Sequence, residues 1–306
     1  LLAPGDKVVF QNPGYPIYES LASFYSKGNH IGWQAFRDPE KKTLEYRVKD
    51  LEKILQENDN VKILCVNTPQ NPTGMMMGRK KLEAIAELVK KYKFFVIFDD
   101  IYDRIVFDGR EHFSFLSIPG MLDWTINLNG YSKNYAMTGW RLGFIVAPEW
   151  LTAIFGRLAV NKWSCVSRVN QIVAGVVFGD VELDGFKYES VAGKIEATLL
   201  ADFAEYEKKG KFLVECFNLL KPYVVPNSVE GAFYDFPNFE GILKLKYVRD
   251  NLGIKDDKEL SYWFLEEKGI ATLAGSDFGS GGAGYIRFSY AEDRNKHIIP
   301  GMKHLL

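Results

Sequence analysis

The run Phe94-Phe95-Val96-Ile97-Phe98-Asp99-Asp100-Ile101-Tyr102 decides the fold class. Five consecutive apolar residues with no polar alternation read as a strand buried on both faces, the pattern of parallel sheets whose crossover helices cover both sides. Upstream, residues 79–91 place Leu82, Ile85, Ala86, Leu88 and Val89 on one stripe, which predicts an amphipathic helix. A second apolar run lies at 62–67, so residues 62–99 read as a strand–helix–strand crossover unit. Further strands are expected at 7–11, 125–129 and 142–147. Alternating with helical stretches, they predict an α/β fold: a mainly parallel sheet with helices on both faces. Beyond about residue 190 the pattern changes. A long helix at 201–219, strands at 232–236 and 285–290, and a helix over Asp257–Lys268 predict a smaller α+β unit.

Composition removes several function classes. The chain has 306 residues, 47% hydrophobic, with 38 basic against 39 acidic side chains, so it can fill one large or two modest domains. A net charge of -1 offers no footprint for nucleic acid or an anionic membrane. Cys65, Cys165 and Cys216 are odd in number, far apart and flanked by apolar residues, which predicts buried thiols in a reducing compartment, with neither a disulfide framework nor a metal site. With no apolar run of membrane-spanning length and no signal-like start, a cytoplasmic setting is expected. Leu1-Leu2-Ala3-Pro4-Gly5-Asp6 reads as a helix end turning directly into a strand, so the native protein is expected to extend well before Leu1.

Two glycine clusters mimic nucleotide sites and fail on context. Gly279 to Gly284 runs into a strand rather than a helix, which argues for a flexible loop. Gly74 and Gly78 with Arg79 and Lys80 lack the spacing and the Ser or Thr of a triphosphate loop.

Ligands of open α/β sheets bind at the carboxyl ends of the strands. There the sequence offers an amide in Asn71-Pro72-Thr73-Gly74, a carboxylate and a phenol in Asp99 and Tyr102, and an amine in Gly130-Tyr131-Ser132-Lys133. A guanidinium follows in Gly139-Trp140-Arg141. Each has a bland reading as a turn, a helix cap, a solvated lysine or a surface ion pair. Their ordered joint occurrence does not.

The run from Asn129 through Lys133 to Arg141-Leu142-Gly143 resembles the lysine signature of class I/II aminotransferases, the aspartate aminotransferase-like enzymes of pyridoxal-phosphate fold type I. Asn71 to Gly74, Asp99 to Tyr102 and Tyr285-Ile286-Arg287-Phe288-Ser289-Tyr290 are similar to the family's other blocks in the same order. Pro13-Gly14-Tyr15-Pro16 and Glu230-Gly231-Ala232-Phe233-Tyr234 also fit. The resemblance implies a pyridoxal-phosphate-binding large domain over 1–192, its N-terminal part apparently missing, a small C-terminal domain over 193–306, and a homodimer.

The resemblance also assigns roles. Lys133 is the residue expected to hold pyridoxal 5'-phosphate as a Schiff base and then to act as proton carrier. Asp99 is expected at the pyridine nitrogen, and Tyr102 and Asn71 at the phenolic oxygen. Tyr15 stacks on the ring or simply packs, and Arg141 with Ser132 holds the phosphate. Arg287, assisted by Asn71, binds the substrate carboxylate unless it is a strand-edge ion pair. Gly130 stands where the family has a phosphate-touching serine, and the glycine- and serine-rich phosphate segment has no counterpart after Leu1. The implied activity is transfer of an amino group between an L-amino acid and a 2-oxo acid. The alternatives are a carbon–sulfur lyase or ring-closing synthase of the same fold, or an inactive or sensor relative. Arg157 and Lys162, candidates for a second carboxylate contact, are read as surface charges.

Overall fold

The computed structural model describes residues 1–38, 40, 44–183 and 185–306. Its main sheet has six strands. In chain order they are β1 (Lys7–Asn12), β2 (His30–Gln34), β3 (Val61–Asn67), β4 (Phe95–Asp99), β5 (Thr125–Gly130) and β6 (Gly143–Val146), arranged spatially β2-β1-β3-β4-β5-β6. All neighbours pair in parallel except β6, which runs antiparallel to β5 with Gly130 opposite Gly143. The expected strands are all present. The edge strand β2 escaped sequence reading because only Trp33 of its five residues is buried, leaving neither a continuous apolar run nor a clean alternation.

The crossover from β3 to β4 is helix α3 (Arg79–Tyr92), and its five stripe residues are all buried. Together with α2 (Val48–Glu57), α3 covers one face of the sheet, where Val9, Leu64, Val66, Val96 and Phe98 meet Leu51, Leu82, Ile85 and Val89. On the other face, α1 (Pro16–Tyr25) brings Ala22 and Tyr18 against Val8, Phe10, Ile63 and Cys65. Burial on both faces is why these strands carry no polar alternation.

After β5 come a short helix α4 (Tyr131–Asn134), then β6, α5 (Glu149–Trp163), α6 (Arg168–Phe178) and the long α7 (Ala192–Asn218). Helix α7 begins nine residues before the expected 201. Its first turns carry Gly193, Lys194 and Thr198, too polar to extend the apolar stripe that marked the rest. The second sheet holds β7 (Tyr234–Asp235), β8 (Leu273–Ala274) and β9 (Ile286–Ser289) in the order β7-β9-β8, all antiparallel, beside α8 (Asp257–Lys268). Helix α8 occupies the expected residues because both ends are written in the sequence: Asp256 accepts from the Lys258 and Glu259 amides, and Gly269 closes the helix at φ 64°. The core of this half also takes Tyr102, Ile105 and Phe107 from the segment after β4, joining the two sheets in one apolar body.

Two expectations are corrected. Cys65 and Cys216 are buried, but Cys165 is exposed, because the α5–α6 connection is uncovered in spite of its apolar neighbours. The stretch Gly279 to Gly284 is a pair of tight turns packed on the end of β1. A Cβ at Gly279 would lie 2.5 Å from Asn12 Oδ1, and the Gly281 amide donates to that oxygen at 2.8 Å. These glycines serve close approach rather than flexibility. Among the described residues, no helix is long and apolar enough to cross a membrane.

Candidate active site

The carboxyl ends of β1, β3, β4 and β5 open on one cleft of about 450 Å³, within the range of small-molecule sites. All eight residues singled out in the sequence line it: Tyr15, Asn71, Asp99, Tyr102, Ser132, Lys133, Arg141 and Arg287. They come from five segments spread over 272 positions (287 − 15), so the fold does the assembling.

Each segment is held by bonds that its sequence explains. Asn67, the last residue of β3, donates from its side chain to the Asp99 carbonyl at 3.1 Å and accepts the Asn71 amide at 2.9 Å. This pins the Asn71-Pro72-Thr73-Gly74 turn onto the end of β4. Gly74 sits at φ 68°, and a Cβ there would meet the Tyr234 carbonyl oxygen at 2.5 Å. Its own carbonyl accepts the Glu230 and Gly231 amides at 3.0 Å. Two motifs 160 positions apart (234 − 74) are thus one contact, and glycine is the residue that permits it. Gly130 is explained likewise: a Cβ would lie 3.0 Å from the Leu142 carbonyl oxygen and 3.1 Å from the Gly143 Cα, since β6 passes close by.

Asp99 is 9% exposed, and its carboxylate Oδ1 accepts the Ile101 amide at 3.0 Å while Oδ2 accepts the Tyr18 hydroxyl at 2.5 Å. Burial raises its carboxyl, those two donors offset only part of the rise, and it stands at about 6. Lys133, half-buried, is displaced in the opposite sense. Burial, then the charges of Arg287 and Arg141, lower its ammonium below the usual lysine range, which makes the amine a better nucleophile and base. Its Nζ stands 5.6 Å from the centre of the Phe233 ring.

Tyr102 is held neutral by burial, and its hydroxyl shares a 3.0 Å hydrogen bond with that of Tyr234. Arg287 lies between the Tyr234 and Phe278 rings, 4.5 and 4.9 Å from their centres, and donates from Nη1 to Asn71 Oδ1 at 2.9 Å. Its buried Nε has no hydrogen-bond partner among the described residues. Arg141 is exposed at the rim, in a left-handed conformation at φ 54°, with Nη1 donating to the Thr138 carbonyl. Arg157 and Lys162 are exposed on α5 and do not line the cleft.

This donor set suits a flat anionic pyridine aldehyde. An aromatic face 40% exposed at Tyr15, a buried carboxylate, a desolvated amine and a rim guanidinium match its ring, nitrogen, aldehyde and phosphate, and the orphaned Arg287 Nε asks for an anionic acceptor. Sequence reading missed Tyr18, Tyr234 and Asn67. Tyr18, three residues after Tyr15 on the first turn of α1, carried one usable signal: it shares a helix face with a residue already singled out.

Known proteins share both the sequence pattern and the fold. The family description aminotransferase class I and II matches residues 1–299. The chain is 31% identical to an aspartate aminotransferase of Pyrococcus abyssi over 95% of its length and 67% of that protein. It is 32% identical to aromatic-amino-acid aminotransferase 2 of Thermococcus litoralis over 82% of its length and 58% of that protein. The chain therefore spans about three fifths to two thirds of these relatives. The crystal structure of an aromatic aminotransferase from Pyrococcus horikoshii superposes with a TM-score of 0.83 at 28% identity, covering 100% of this chain and 73% of that one.

Proposed function

The chain belongs to the class I and II aminotransferase family, and from that premise we propose that it is a pyridoxal-phosphate-dependent aminotransferase moving an amino group between an L-amino acid and a 2-oxo acid. The observation that carries the proposal is the meeting of Lys133, Asp99 and Arg287 in one cleft, with the amine made less basic and the carboxylate buried. When bound, the cofactor supplies an aldehyde for an amine and a ring that accepts the electron pair left on the substrate carbon.

The chain's own residues supply the rest. Lys133 would hold the aldehyde carbon and is the group placed to take and return the proton of the substrate Cα. Asp99 keeps the proton on the ring nitrogen. Because Asn71 spends its Oδ1 on Arg287, its amide N–H would be the group left to donate to the ring oxygen. Tyr102 would donate to the same oxygen, and its hydroxyl shares a hydrogen bond with that of Tyr234. Arg141 and Ser132 take the phosphate. Arg287 would receive the α-carboxylate in a two-pronged contact that fixes the orientation of the substrate's Cα bonds.

Borohydride reduction of the cofactor-loaded protein followed by peptide mapping tests the assignment: a pyridoxyl group on Lys133, and no turnover in Lys133→Ala, are expected. A label on another lysine overturns it. Conversion of the cofactor to its amine form by donor alone separates transamination from a lyase or synthase outcome. The same reading carries a cytosolic homodimer, and exposed Phe144, Trp150, Leu158 and Trp163 support a covered face. A monomeric mass in light scattering would remove that part.

A further inference from the structure

Among the described residues Asp99 forms no ion pair, although it is 9% exposed and its role requires it to be charged. A buried carboxylate without a cation must be held by neutral donors. One is the Ile101 amide, a backbone group. The other is the Tyr18 hydroxyl at 2.5 Å, the one side-chain donor to Asp99 among the described residues.

We infer that Tyr18 is a positioning residue of the active site: its hydroxyl fixes Oδ2 of Asp99, the carboxylate that would meet the cofactor's ring nitrogen, while its own ring braces Tyr15, the aromatic side chain that would stack on the cofactor. The inference rests on the reading of the cleft as a pyridoxal-phosphate site. Tyr15 is the residue before α1, and the Tyr18 amide donates to the Tyr15 carbonyl at 3.0 Å in its first turn. The two rings meet edge to face with centres 5.8 Å apart. One helical turn thus delivers both the aromatic face and the bond to the carboxylate. Pro16 presets the backbone at the first helical position, so the spacing of Tyr15 and Tyr18 is set before any ligand arrives.

Electrostatics runs the same way. Facing Asp99 are Tyr18 from α1, Cys65 from β3, and Asp100 and Tyr102 from its own segment. Burial pushes the Cys65 thiol up to about 12, and Tyr102 is likewise held neutral. Burial and the neighbouring Asp99 hold the Tyr18 phenol well above the usual tyrosine range, so it remains a donor throughout the working pH range. Asp100 raises the Asp99 carboxyl, whereas the Tyr18 bond lowers it. Without Tyr18, the ionised form depends on Ile101 alone.

Tyr18→Phe keeps the ring and its packing and removes only the donor. If Tyr18 merely packs, the Asp99 titration does not respond to this change. The expected result is a loss of about ten- to a hundredfold in kcat, as for a hydrogen bond to a charged group. KM for the amino donor should stay within about twofold, because Arg287 is untouched. The melting temperature should shift by no more than about 2 °C. In the cofactor-free protein, difference infrared titration, with Asp99→Asn assigning the band, should show the Asp99 carboxyl ionising at higher pH than in the wild type. In the Asp99→Asn background, Tyr18→Phe should add less than about twofold, since the two act as a unit. An unmoved Asp99 titration, or the same fractional loss with and without Asp99, overturns the inference. Failure of the wild-type protein to take up pyridoxal phosphate strikes instead at the reading of the cleft, and the cofactor-free titration still decides whether Tyr18 governs Asp99.

Discussion

Asp99 and Asp235 are two aspartates at the ends of strands, one in each sheet, and they differ in what reaches them. Both are buried, at 9% and 0% exposure, and burial pushes both carboxyls up, to about 6 and about 7. Asp99 accepts two good hydrogen bonds and faces the cleft. Asp235 sits at the end of β7 with no side-chain donor to either oxygen among the described residues, the backbone of Phe236 and Asn227 only partly offsets its burial, and it lies outside the cleft. A displaced carboxyl therefore marks an active site only where an open cavity and a set of convergent groups meet it. Asp235 has neither.

The strongest test of this contrast is turnover. Asp99→Asn should lower kcat by about a thousandfold, because the ring nitrogen loses its charged partner. Asp235→Asn should leave kcat within about twofold, and comparable losses in steady-state assays would erase the distinction. Next in size, Arg287→Lys should raise KM for amino and oxo acids about a hundredfold while leaving cofactor affinity unchanged, since a lysine keeps the charge but loses the fork. Cofactor loss at constant KM would move Arg287 out of the substrate contact.

Stability is expected to treat the two aspartates alike. Each folded value lies above the ordinary 3.8, so the stabilising contribution is complete below pH 3.8 and is lost as pH rises, through about 6 for Asp99 and about 7 for Asp235. Both Asn variants should therefore stabilise the cofactor-free protein at pH 8 and not at pH 3.5. The gain should be on the order of 2 kcal/mol for Asp235→Asn, and smaller for Asp99→Asn, which gives up two hydrogen bonds. Urea titrations at the two pH values measure this, and equal effects at both would break the argument from burial. The smallest effect should come from Tyr234→Phe. Removing the hydroxyl paired with Tyr102 should change kcat about threefold, seen best as a shift in the cofactor's absorbance titration.

What could be read beforehand follows from how local each signal is. Lys133, Asp99, Asn71 and Tyr102 lie at or just past the ends of strands whose apolar runs are unmistakable, and Arg141 just ahead of one, so strand ends and candidate groups appear together. Tyr18 and Tyr234 were missed because each matters through one partner, 81 and 132 positions away. The apolar flanks of Cys165 predicted burial because a sequence shows which side chains favour a core, not whether anything covers them. Gly279 to Gly284 suggested mobility, yet the close approach of Asn12, far away in the chain, makes the glycines a packing requirement.

The sequence by itself determined the α/β class, the crossover α3, both ends of α8 and the identity of the groups at the strand ends, since periodicity, caps and turn residues act over a few positions. Only the tertiary structure decided that Gly74 meets Tyr234, that Arg287 meets Asn71, and that Tyr18 rather than a cation holds Asp99. Those facts depend on which surfaces are brought together and which charges are left without water. Both are set when segments far apart in the chain pack together, and neither is encoded in any single segment.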